Sequence, residues 1–158
     1  MAKRICLYGI LSAVCIALSF VETLISFDFI APGIKIGLSN TLALLLVARG
    51  DIKGAFSVNS VRILLSVLLF GNPSALIYSL TGGLGSITVM ALLSKCKAFS
   101  VIGFSISGAV VHNLIQLTVA LFLLGKGVIV YLPFLLIAAL ISGALTGFLG
   151  KALLSLKE

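Results

Sequence analysis

Apolar residues run along this chain in long unbroken blocks, separated by short breaks that carry glycine, proline or charge. Six blocks can be marked, at about 5–25, 34–48, 54–70, 74–94, 98–124 and 128–150. They are much longer than the strands of a membrane barrel, so the pattern predicts helices. The first block, wound as a helix, reaches about 31 Å, enough to cross a hydrocarbon core. The second is short, about 22 Å, and begins just after Pro32-Gly33. It reads as a partial or tilted span wrapped by its neighbours. The fifth is long, and tilt would accommodate it. The breaks at Gly50-Asp51-Ile52-Lys53, Gly71-Asn72-Pro73 and Gly125-Lys126-Gly127 are too short for anything but antiparallel neighbours. The expected fold is an all-α integral membrane protein, with six transmembrane helices in one compact bundle and a single domain over residues 1–158. No internal repeat or low-complexity stretch stands out.

Composition removes the alternatives. Of 158 residues, 61% are hydrophobic and 9% charged, against about 25% charged in an ordinary soluble domain. Mean hydropathy is +1.32. A water-soluble globule of this size has too little interior to hide so much apolar surface, which excludes a soluble enzyme, a disordered chain and a secreted disulfide scaffold. Cys6, Cys15 and Cys96 form no C-x-x-C and read as small apolar residues, giving neither a disulfide framework nor a metal site. Met1-Ala2-Lys3-Arg4 followed by an apolar run imitates a signal peptide, but the run is too long and no small-x-small site follows before Glu22. It is read as a retained first helix.

The net charge of +7 is distributed as membrane topology, not as a nucleic-acid surface. With the N-terminus in the cytoplasm, Lys3, Arg4, Arg49, Lys53, Lys95, Lys97, Lys151 and Lys157 all lie inside. Only Lys35 and Lys126 lie outside. Eight against two is a strong positive-inside bias, and it holds only if the short second block crosses. Six crossings put both termini in the cytoplasm.

The eleventh cation, Arg62, falls in the middle of the third block, where a translocon scale sets its cost at about +2.5 to +3.5 kcal/mol. It requires a polar partner or a function. Asn59, Arg62 and Ser66 share one helix face. His112 and Gln116 share a face of the fifth block, with Asn113 beside it. Glu22 lies toward the outer end of the first block and Asn40 in the outer half of the second. Thr81-Gly82-Gly83-Leu84-Gly85-Ser86 sits mid-span in the fourth, where glycines permit close approach of a helix or a ligand. Most of these groups fall at the midplane or in the outer leaflet, the pattern of an outward-facing pocket for a small polar or amphipathic solute. The plainer alternative is an internal Arg62–Glu22 salt bridge with Asn and Gln joining helices; both readings can hold together. Lys35, beside Pro32-Gly33, is a candidate rim residue or an interface anchor. Asp28 reads as solvated, and Tyr8, Tyr78 and Tyr131 as interfacial belt residues. Small residues at helical spacing mark close-packing faces: Gly9, Ala13 and Ala17, then Gly103 and Ser107, then Ala139, Gly143 and Gly147.

Catalytic equipment is sparse. No Walker loop is present, the aspartates are Asp28 and Asp51 alone, and one histidine with four acids makes neither a metal cluster nor a Ser–His–Asp triad. The expectation is a non-enzyme with no cofactor.

Four motifs carry a resemblance. Pro32-Gly33-Ile34-Lys35-Ile36-Gly37-Leu38-Ser39-Asn40, Asn59-Ser60-Val61-Arg62-Ile63-Leu64 ending in Leu69-Phe70-Gly71, Ser79-Leu80-Thr81-Gly82-Gly83, and Ser107-Gly108-Ala109-Val110-Val111-His112-Asn113 resemble the Gx transporter family, also called heptaprenyl diphosphate synthase component I. That family is similar to the substrate-binding S components of energy-coupling factor (ECF) transporters, six-helix bacterial membrane proteins that capture vitamins or related micronutrients and work with a transmembrane T component and two ATPases. The resemblance implies that Ala13 and Ala17 dock on the T component. The synthase name fits poorly, since no aspartate-rich motif is present. Under the first reading a small-molecule substrate enters from the outer face. Arg62 and His112 contact its anionic or strongly polar group; Glu22, Asn40, Asn59, Asn113 and Gln116 complete the polar lining; Thr81, Gly82 and Gly83 give room. The rivals are a membrane accessory subunit of a prenyl or quinone pathway and a self-contained oligomeric flippase or channel.

Overall fold

A computed structural model of the chain describes residues 2–24, 37–70, 73–96 and 98–156. The described residues are almost entirely helical, without a strand. The helices are α1 (Ala2–Leu24), α2 (Asn40–Ala48), α3 (Ile52–Phe70), α4 (Pro73–Leu93), α5 (Val101–Leu124) and α6 (Leu132–Ser155), with a 3-10 helix at Lys126–Tyr131 leading into α6. Five segments are long and apolar enough to cross a bilayer. Lys35, Pro32-Gly33, Asp28, Lys97, Gly71, Asn72 and Lys157 lie outside the described residues.

The exception among the helices is α2. The second block was expected to be helical over 34–48, but the described helix begins at Asn40 and has nine residues, about 13 Å, far short of a hydrocarbon core. The late start has a local cause. Gly37 takes φ +85°, off the helical path, and the next residues form a tight turn, Asn40 N donating to Gly37 O (2.9 Å) and Thr41 N to Leu38 O (3.1 Å). At its other end, Gly50 adopts φ +77° and Asp51 N returns to Leu46 O.

Helix α1 turns its polar side inward and its apolar side outward. The buried side of α1 is Ser12, Cys15, Ser19 and Glu22, whereas Ile5, Ile10 and Leu24 face outward. Phe122, Leu68 and Leu156 are at least 78% exposed. Apolar surface outside and hydrogen-bonded polar groups inside is the arrangement a lipid solvent selects. By contrast α2 is apolar and buried on nearly every side, with Leu44 and Val47 packed against Cys15, Ala55, Val58 and Ile87. A helix that is hydrophobic all round belongs in the interior, and here it is the central post of the bundle.

Glycines set how closely the helices approach. A Cβ on Gly143 or Gly147 would lie 2.7–2.8 Å from the α5 backbone at Ile106 and Ile102, so α5 and α6 touch nearly backbone to backbone. Ser105 on α5 donates to Gly143 O (2.9 Å) and pairs with Thr146 Oγ1 (2.9 Å), fixing the antiparallel register. Helix α5 begins at a true cap, with the Ser100 side chain accepting from Gly103 N (3.2 Å). At the opposite end of α1 from Glu22, Tyr8 donates to Asp51 Oδ2 (2.6 Å) while Asp51 Oδ1 accepts from Gly54 N (3.0 Å). Tyr8, expected as a belt residue, thus pins the start of α3 to the second turn of α1.

Candidate functional site

Arg62 stands midway along α3 and its guanidinium gathers two other segments. Nη1 donates to Ser39 Oγ (3.0 Å) and, at the outer limit of a hydrogen bond, to Ser19 Oγ on α1 (3.5 Å). Nη2 donates to Asn59 Oδ1 one turn earlier (2.8 Å) and to Asn40 Oδ1 at the start of α2 (3.2 Å). Glu22 is coupled to this hub through Ser39, not by direct pairing: Ser39 Oγ donates to Glu22 Oε2 (2.8 Å) and Leu38 N to Glu22 Oε1. Glu22 is 4% exposed and Ser39 2%. The expected Arg62–Glu22 salt bridge is therefore a bridged one, and the bridging residue is a serine. Three segments, α1, the turn into α2 and α3, converge here because an arginine in a bilayer needs acceptors, and its planar fork can reach several at once; both Nη atoms are served and Nε is left buried without a partner.

Arg62, Glu22, Ser39 and Asn40 line one side of a cavity of about 700 Å³, within the usual range for small-molecule sites. The opposite wall is one stripe of α5, from Ser105 through Ala109, His112, Asn113, Gln116 and Leu117 to Ala120 and Leu124, closed by Leu135, Ser142 and Thr146 of α6. Asn113 is oriented by its own bond, Nδ2 donating to Leu135 O (2.8 Å). Helix α4 adds Tyr78, Ser79 and Ser86, and Val128 and Tyr131 stand at the end where α5 stops. Tyr78 and Tyr131, expected in an interfacial belt, are thus wall residues.

The remaining expected residues fall elsewhere. Asn59 is buried behind Arg62, 3% exposed and outside the cavity lining. Thr81 faces outward and donates to Ile77 O (2.6 Å) of its own helix. Gly82 and Gly83 do not widen the cavity. A Cβ on Gly82 would lie 3.0 Å from Gln116 Cγ and 3.2 Å from His112 Cε1, and one on Gly83 2.7 Å from Asn59 Nδ2. They seat α4 against α5 and α3. Lys35 lies outside the described residues. Ala13 and Ala17 are exposed on α1, and Gly9 has open space before it.

Ser19, Ser39, Ser105 and Thr146 were not anticipated. Serine and threonine are common in membrane helices, and only the tertiary contacts single these four out; Ser39 alone had a sequence signal, as neighbour to Asn40 in a quoted motif.

Residues 11–153 match the family described as heptaprenyl diphosphate synthase component I. The chain belongs to that family. It is Gx transporter-like, and the match takes in both sides of the cavity, from Ser19 on α1 to Thr146 on α6. No curated protein and no solved structure matches the chain. This member of the component I family is thus a multi-pass helical membrane protein with an arginine hub at the wall of its cavity.

Proposed function

We propose that the chain is an S-component-like subunit of an ECF-type uptake transporter. It captures a small vitamin-like, anionic or amphipathic metabolite from the outer face of the bacterial inner membrane. The observation that carries this reading is the cavity of about 700 Å³ with Arg62, Glu22 and Asn40 on one side and His112, Asn113 and Gln116 on the other. Polar groups from all six helices converge there inside an apolar shell, and burying them without a ligand to read is a costly way to hold a bundle together. The chain serves as a binding subunit, not an enzyme; a T component and ATPases supply the energy.

The orientation follows from two supports. Tyr8–Asp51 brings the starts of α1 and α3 together at the same end of the bundle. That end carries Lys3, Arg4, Arg49 and Lys53, which belong in the cytoplasm, as do both termini. The cavity's outer end, at Leu124, Val128 and Tyr131, faces outside.

Docking on the T component falls to the exposed Gly9-Ala13-Ala17 side of α1. The equivalent stripe of α6 is already occupied by α5. The family description favours a second reading, a membrane accessory subunit of a prenyl diphosphate pathway. Native mass spectrometry of the purified chain after exposure to a bacterial metabolite extract tests capture directly. A retained metabolite that Arg62→Ala fails to retain is expected. Unchanged retention by Arg62→Ala would overturn the site, and copurification with a prenyltransferase instead of ATPases would favour the second reading.

A further inference from the structure

The arginine hub does not have the form of an anion receptor. A site built for a carboxylate or phosphate presents an open edge of the guanidinium for two parallel N–H bonds. Here both Nη atoms are already engaged by neutral oxygens, Nη1 by Ser39 and Ser19 and Nη2 by Asn59 and Asn40, and Nε, which has no partner, is buried away from the cavity space. The Glu22 carboxyl group faces the same cavity and accepts at both oxygens, from Leu38 N and Ser39 Oγ. Among the described lining residues Arg62 and Glu22 are the Arg, Lys, Asp and Glu present, so the formal charges of the wall cancel.

We propose that the cavity is selective for a net-neutral amphiphile, uncharged or zwitterionic. The inference rests on the capture reading above and narrows its substrate class. A ligand with net charge would leave that charge uncompensated within a bilayer, where it is expensive. A neutral one leaves the Arg62–Ser39–Glu22 bridge intact. Ser86, Ser105 and Thr146 lie at the deep end beside Met90, Asn113 and Gln116 midway, and Tyr78, Ser79 and Tyr131 with Leu124 and Val128 at the outer end. Neutral donors and acceptors thus alternate with apolar groups along the whole cavity, as a neutral amphiphile requires.

The test uses the full-length chain in micelles and a bacterial small-molecule extract divided by ion exchange at neutral pH into anionic, cationic and unretained fractions. Native mass spectrometry then reads which fraction yields a bound mass. The expected adduct comes from the unretained fraction. Glu22→Gln, which leaves the wall formally cationic, is expected to move retention to the anionic fraction. The double variant Glu22→Gln/Arg62→Gln, neutral again, is expected to move it back. An adduct drawn by the wild-type chain from the anionic or cationic fraction overturns the neutral assignment while leaving capture standing. No adduct from any fraction overturns capture itself. Should the variants fail to fold, the wild-type result still decides.

Discussion

At the residue scale, polar side chains in this bundle act through one another. Asp51 shows the principle at the end of the molecule away from the cavity. The hydroxyl of Tyr8 and the backbone N–H of Gly54 both donate to its carboxylate, and with Arg4 near by they hold its pKa below the usual carboxylate value. A carboxylate depressed on folding contributes stability that is fully present above its unfolded pKa of about 3.9 and is lost as pH falls through the lower folded value. The thermal stability of the wild type should therefore exceed that of Asp51→Asn by a constant margin near neutrality, and the margin should shrink below about pH 4. A margin that persisted unchanged in acid would show that the Tyr8–Asp51 contact is not what joins α1 to α3. Arg62 was legible in the sequence because an arginine amid apolar residues has no surface explanation. Its partners were only half legible. Asn40, Asn59 and Glu22 stood out as rare polar types, but Ser19 and Ser39 did not, since a serine's importance depends on what faces it. The direct Arg62–Glu22 pair was a reasonable inference from charge, and it failed because a serine hydroxyl fits between the two groups.

At the element scale, the long helices were legible to within a few residues, since continuous hydropathy over about 20 residues needs no tertiary context. Helix α2 was not, because its start is set by the Gly37 turn and by Glu22 holding Leu38 N. Small-residue stripes were legible as positions but not as roles. On α6 the stripe at Ala139, Gly143 and Gly147 is consumed by α5, whereas on α1 Gly9, Ala13 and Ala17 remain exposed. Alanine substitution separates these roles. Gly143→Ala places a Cβ 2.7 Å from the Ile106 Cα, forcing α5 and α6 apart, and overpacking of that kind costs about 1–3 kcal/mol. Gly9→Ala meets nothing within 4 Å and gains up to about 1 kcal/mol of helix propensity. Thermal unfolding of the two purified variants should shift in opposite directions. A Gly143→Ala chain as stable as the wild type would mean that the α5–α6 contact is looser than its geometry. The same reasoning corrects Gly82 and Gly83: their missing side chains admit Gln116 and Asn59, so the space they create is already filled by protein.

At the scale of the whole molecule, the question is which way the bundle sits in the membrane, and its cysteines give a direct readout. Cys6 and Cys96 are exposed and Cys15 is buried. Tyr8–Asp51 brings the starts of α1 and α3 together, and α4 runs back beside α3, since Gly83 packs against Asn59 and Ile63. The end of α4, where Cys96 lies beside Lys95, therefore returns to the end that holds Lys3, Arg4, Arg49 and Lys53. If that basic end is cytoplasmic, a membrane-impermeant maleimide added to intact cells should leave the chain unlabelled. The same reagent should modify Cys96 in inverted vesicles, and Cys15 should react only after denaturation. Lys126→Cys, at the exposed opposite end, should label in intact cells. Labelling of the native cysteines from outside would invert the orientation, turn the Leu124–Tyr131 end of the cavity toward the cytoplasm and remove the outer-face entry that the uptake reading requires.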